Sequence, residues 1–153
     1  MLRLPSDSFL SQIGSLRSKL NNDRALLRAF HYFEENKRVE SMIQTLEKKD
    51  FSSYLSLVTE SGSSSFRYLQ NIYSPSSASE QGIALAYAMT ESFLDSCACN
   101  GAFRVQGGGF AGTLEAYIPI ERTADYFSHM EKLFGQGCCT VLAIRNLPTT
   151  RIR

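Results

Sequence analysis

The stretch that decides the fold runs from Arg104 to Pro119 and reads RVQGGGFAGTLEAYIP. Its Gly107-x-Gly109-x-x-Gly112 spacing fits a dinucleotide-binding loop. Such a loop requires a helix directly after the glycines, because the helix N-terminus receives the pyrophosphate. Here the following residues alternate instead, with Leu114, Ala116 and Ile118 on one face and Thr113, Glu115 and Tyr117 on the other, and then meet Pro119. That is a strand pattern, and it removes the dinucleotide reading. No Gly-Lys-Ser or Gly-Lys-Thr follows, so the nucleotide-binding Walker loop is excluded too. What remains is a glycine-rich connection between two strands, Ala102–Val105 and Thr113–Ile118. Glycines there can serve hairpin geometry alone, or bring backbone amides against a ligand.

Outward from the loop, the periodicity changes. Upstream, Asn21-Asn22-Asp23 supplies cap residues for a long helix. Leu26, Leu27, Phe30, Phe33, Val39, Met42, Ile43 and Leu46 follow the spacing of one helical face. Lys48-Lys49 suits its negative end. Asp50 can cap a second helix carrying Phe51, Tyr54, Leu55 and Val58, which fades at Ser61-Gly62-Ser63-Ser64-Ser65. After a polar stretch from Asn71 to Ser79, Ser77-Ala78-Ser79-Glu80 reads as a capping box. The helix it opens passes through Ile83, Ala84, Tyr87, Ala88 and Phe93. Downstream of the loop, Glu121 to Phe134 reads as a helix ended by Gly135, and Cys138 to Ile144 as a central strand. Ser11 to Leu20 is modestly amphipathic. The order of helices first and strands later predicts an α+β fold, an antiparallel sheet packed against several helices. The organisation is a lead-in over residues 1–22, one domain over 23–145, and a tail over 146–153.

The bulk composition narrows function by exclusion. The chain has 153 residues, 43% of them apolar, which suffices for one core. Sixteen basic and 15 acidic side chains are interspersed, for a net charge of +1. This leaves no electrostatic footprint for nucleic acid or an anionic membrane. Without a membrane span or signal-peptide core, the chain reads as soluble and cytoplasmic. The four cysteines, Cys97, Cys99, Cys138 and Cys139, lack the spacing of structural zinc ligands and read as reduced, partly buried thiols. His31 lies beside an apolar helix face and reads as a boundary histidine rather than a catalytic one. Glu34, Glu35 and Glu40 with Lys37 and Arg38 read as a solvated face with local ion pairs. Arg104, placed just before the glycines, can face a phosphate or pair with a carboxylate.

The residues RVQGGGFAG resemble the third motif of the GHMP kinases in the form found in galactokinases, an Arg, two variable residues and then Gly-x-Gly-Phe-Gly-Gly before an apolar strand. Ala111 departs from it, standing where galactokinases usually carry glycine. Upstream, Arg28-x-x-His31-x-x-x-Glu35-Asn36-x-Arg38 is similar to the helix opening the C-terminal half of galactokinases. Leu46 to Phe51 with Glu60-Ser61 is similar to the next helix pair, and Asn71 to Pro75 takes the place of a substrate-side loop. The resemblance covers roughly Asp23 to Arg145. It implies a GHMP kinase C-terminal domain of ferredoxin-like character, part of an enzyme that transfers the ATP γ-phosphate to the C1 hydroxyl of galactose. It also implies ATP and Mg²⁺ as the full enzyme's cofactors and an N-terminal kinase domain as partner. The family's Gly-Leu-Ser-Ser-Ser loop and its sugar-recognition signature have no counterpart here. The resemblance therefore places Gly107, Gly108, Gly109, Phe110, Ala111 and Gly112 on the substrate and phosphate side, with Arg104 as a further ligand contact. No catalytic residue and no metal ligand falls in this chain. A non-catalytic binding or regulatory module of the same fold, or part of another small-molecule GHMP kinase, is the alternative.

Overall fold

The structure, a computed structural model, describes residues 6–110 and 112–143. Five helices and one hairpin make up the α+β fold: α1 (Ser6–Leu20), α2 (Asp23–Glu47), α3 (Phe51–Ser64), α4 (Gly82–Ser96), β1 (Ala102–Gln106), β2 (Thr113–Tyr117) and α5 (Thr123–Phe134). The helix starts are chemically signed. Asn22 Oδ1 accepts from the Ala25 amide at 3.0 Å and Asp50 Oδ1 from the Ser53 amide at 3.1 Å, each satisfying an amide with no helical partner. Gly135 ends α5 at φ 90°, as its position predicts.

The antiparallel hairpin is the middle layer. Its register pairs Phe103 with Ala116, Arg104 with Glu115 and Val105 with Leu114. One face, carrying Phe103, Val105, Leu114 and Ala116, meets Tyr87, Phe93 and Leu94 of α4 and Tyr126 and Met130 of α5, and this is the main core. The other face carries Arg104 and Tyr117, and lies against α3 and α2. Gly62 makes the α3 contact close, since a Cβ there would meet the Phe103 carbonyl oxygen at 2.7 Å.

Four expectations are corrected. The helix of Phe51 does not fade at its serines: α3 runs through them to Ser64 and continues as a π-helical turn over Ser65–Leu69. Ser61, Ser64 and Ser65 are buried and hydrogen-bonded, so polarity there marks an internal seam rather than a helix end. The capping box does not form, because the Glu80 amide is already used by the Ser77 carbonyl in a turn at 3.0 Å and α4 begins later, at Gly82. The described part of the Cys138–Ile144 strand, residues 138–143, is not a strand. A strand requires a partner edge, and among the described residues β1 and β2 pair only with each other. Val141 and Leu142 are accordingly 71% and 80% exposed. Finally, Cys97 and Cys99 form a disulfide rather than staying reduced, while Cys138 and Cys139 are free thiols.

The apolar stripe of α2 is also only half used. Leu26 is buried and Leu27, Phe30 and Phe33 are half-buried, but Val39, Ile43 and Leu46 are exposed. The N-terminal half of the helix meets α1 through Phe9–Phe33, the end of α3 through His31–Ser64 and the π turn through Phe30–Tyr68. Ala111, Ile144 and the tail beyond it lie outside the described residues, as does the start of the lead-in.

Candidate functional site

The glycine loop joins β1 to β2 at one end of the hairpin. Gly107, Gly109 and Phe110 take left-handed backbone angles, with φ of 64°, 77° and 61°. Two glycines do so at no steric cost, whereas a phenylalanine there is strained. The strain is held by Asn71, a residue of the connection between the π turn and α4. Its carbonyl oxygen accepts from the Phe110 amide at 2.6 Å, and its Nδ2 donates to the Gly108 carbonyl at 3.3 Å. Its Oδ1 in turn accepts from Ser65 Oγ at 3.1 Å. Asn71 packs so closely that a Cβ on Gly109 would fall on its carbonyl oxygen. By contrast, nothing lies within 4 Å of a Cβ added at Gly107 or Gly108. One flank of the loop is thus bound to the protein and another is open.

Behind the hairpin lies a polar seam between α2 and α3. His31 Nδ1 and Ser64 Oγ share a hydrogen bond at 3.0 Å. Glu35 accepts from Ser61 Oγ at Oε1 and from Arg38 Nη1 at Oε2, and Arg104 Nη1 stands 3.8 Å from Oε1. Arg104 therefore pairs with a carboxylate, one of the two roles its position allowed. Glu35 is not part of a solvated face: it and Arg38 are mostly buried, whereas the Glu34–Lys37 pair at 3.0 Å is surface-exposed as expected. Burial lowers the His31 pKa from its ordinary value, with Glu35 opposing that shift. His31 is thus a satisfied boundary histidine held neutral, as its setting on the helix predicts.

The chemistry available is positional. Among the described residues no group of three or more His, Cys, Asp or Glu could hold a metal ion. The Cys139 thiol is pushed up to about 11, first by burial and then by its hydrogen bond with Cys138, so it is no activated nucleophile. No described helix is long and apolar enough to cross a membrane. The glycine positions and Arg104 were legible in the sequence. The Asn71 contacts were missed, though the break between two helices followed by a buried-type Asn-Ile pair was a signal for them.

Comparison with protein-family models, with curated proteins and with solved structures returned no match to this chain.

Proposed function

We propose that this chain is the C-terminal part of a galactokinase, contributing the glycine loop Gly107 to Gly112 as a backbone wall of a site completed by an N-terminal kinase domain. One observation carries the reading. Two of the stretches that resemble galactokinases lie far apart in sequence, yet they meet in space, Arg104 of the glycine stretch standing against Glu35 of the Arg28–Arg38 helix stretch. Two independent chance resemblances have no reason to converge on one ion pair.

Phosphoryl transfer depends on positioning, a metal ion and charge stabilisation around a loose transition state. This chain's share is positioning: the loop offers space at Gly107 and Gly108, where a phosphate or sugar group can approach the backbone. Among the described residues no group of three or more His, Cys, Asp or Glu could hold a metal ion, and on this reading the N-terminal domain would supply the ion's ligands and the nucleotide loop. When bound, the ion spreads the charge of the transferred phosphate. Arg104, in the strand that leads into the loop, is engaged by Glu35.

Co-expression with a galactokinase N-terminal domain tests this. The pair is expected to consume ATP in a galactose-dependent way, and the chain alone is expected to show no turnover above background. Activity from the chain alone, or none from a well-formed pair, overturns the reading. A second reading, a non-catalytic binding module, is favoured by the commitment of Glu35 to Arg38, Ser61 and Arg104, so that this carboxylate is no free base. Ligand binding through Gly107 to Gly112 by an inactive pair would select it.

A further inference from the structure

We infer that Asn71 is a positioning residue, holding the Gly107–Phe110 backbone in the one shape whose open flank can receive a ligand group. The inference rests on the loop being the ligand side of the site, and goes beyond it by naming what keeps the loop ready.

A hairpin connection that serves only to reverse the chain closes on its own hydrogen bonds. This one is closed from outside, by a residue well away in sequence that bonds the Gly108 carbonyl and the Phe110 amide and crowds Gly109 between them, where a Cβ would fall on the Asn71 carbonyl oxygen. Phe110 stands at φ 61°, a conformation that reverts in a loose loop. Its retention requires an over-determined surrounding, and Asn71 supplies it. Asn71 is itself fixed. It is 2% exposed, and the π turn Ser65–Leu69 followed by Gln70 at φ 53° carries it under the hairpin. The Ser65 hydroxyl then orients its amide group, so that the Nδ2 faces Gly108. Widened turns of this kind recur where a side chain must be aimed.

The test uses Asn71→Asp, Asn71→Ala and Ser65→Ala, each in the chain alone and in the co-expressed pair. Asn71→Asp keeps an acceptor for Ser65 and replaces the donor to Gly108 with a carboxylate oxygen that repels its carbonyl. Amide exchange at Gly108 to Phe110 is expected to accelerate by about tenfold or more in Asn71→Asp and by less in Ser65→Ala, with protection in α4 unchanged. In the pair, Asn71→Asp is expected to lower kcat by about ten- to a hundredfold with KM for ATP nearly unchanged, as misplacement of a preorganised wall requires. Unchanged loop exchange in Asn71→Asp and Asn71→Ala overturns the inference, whether or not the pair is a kinase. So does accelerated exchange with wild-type kcat, which reduces Asn71 to a structural residue. An inactive wild-type pair sinks the proposed function instead, and the exchange result still decides whether Asn71 holds the loop. Should Asn71→Ala fail to fold, Asn71→Asp and Ser65→Ala decide alone.

Discussion

Gly108 and Gly109 are neighbours with opposite tolerance for a side chain. Gly109 has φ 77° and faces the Asn71 carbonyl, so a valine there meets both backbone strain and a fixed wall. Gly108 lacks a positive φ and has open space around it. Gly109→Val is expected to cost about 1–3 kcal/mol from backbone strain, with overpacking adding to it, and Gly108→Val to leave stability nearly unchanged. Thermal melts of the two variants check this, and equal melting temperatures would mean that Asn71 does not constrain the loop. His31 gives a pH-dependent counterpart. Its folded pKa is lowered by burial, so above the ordinary imidazole value of ~6.5 the ring is neutral in both folded and unfolded chains and contributes no slope. Below that value the unfolded chain takes up a proton that the folded chain resists, and stability falls as pH falls towards the lowered folded value. The charged groups facing His31 are Glu35, Arg38 and Arg104. His31→Gln is expected to flatten the melting temperature between about pH 7 and 5 relative to wild type, and an unaltered profile would assign that slope to other groups.

At the scale of elements, the caps are the cheapest test of how α2 and α3 are set. Asp50 turns the chain between two helices, its carboxylate accepting from the Ser53 amide and held below the usual carboxylate range first by the Ser53 side chain and then by that amide. Asp50→Ala is expected to lower the urea midpoint, and Asp50→Asn to retain most of the wild-type stability. These caps were legible from composition and position, as were the hairpin, the glycine connection and the amphipathic α5, because each is specified by residues within one turn or one strand. What escaped the sequence depended on partners far away. Ser61 to Ser65 looked like a helix end because serines favour caps, yet Glu35, His31 and Asn71 absorb their hydroxyls inside the fold. Residues 138–143 have strand composition, but a strand exists only against an edge, and composition does not say whether an edge is free. The site divides in the same way. The glycine connection and the carboxylate pairing open to Arg104 could be read locally, and Asn71 only as part of a substrate-side loop, since its bonds to Gly108 and Phe110 are contacts across the fold.

Across the molecule, burial is concentrated on the hairpin and its two flanking layers. Val58 of α3, Thr90 of α4, and Ala102 and Val105 of β1 are each 2% exposed or less. At the edge, α1 meets α2 through the Phe9–Phe33 ring contact at 5.1 Å, and the far half of α2 presents Val39, Ile43 and Leu46 to solvent. Hydrogen bonds open locally where few apolar contacts cover them, so protection should be graded rather than uniform. Amides of β1, the middle of α4 and the Val58 turn of α3 are expected to exchange only by global unfolding. Those of α1 and of α2 beyond Val39 are expected to exchange faster by opening on their own. Phe9→Ala sharpens the distinction, since removing that ring should release α1 while the protection of β1 and the loop on it stays as in the wild type. A uniform loss of protection in Phe9→Ala would instead make the chain a single cooperative unit, in which α1 helps to hold the glycine loop across the full width of the fold.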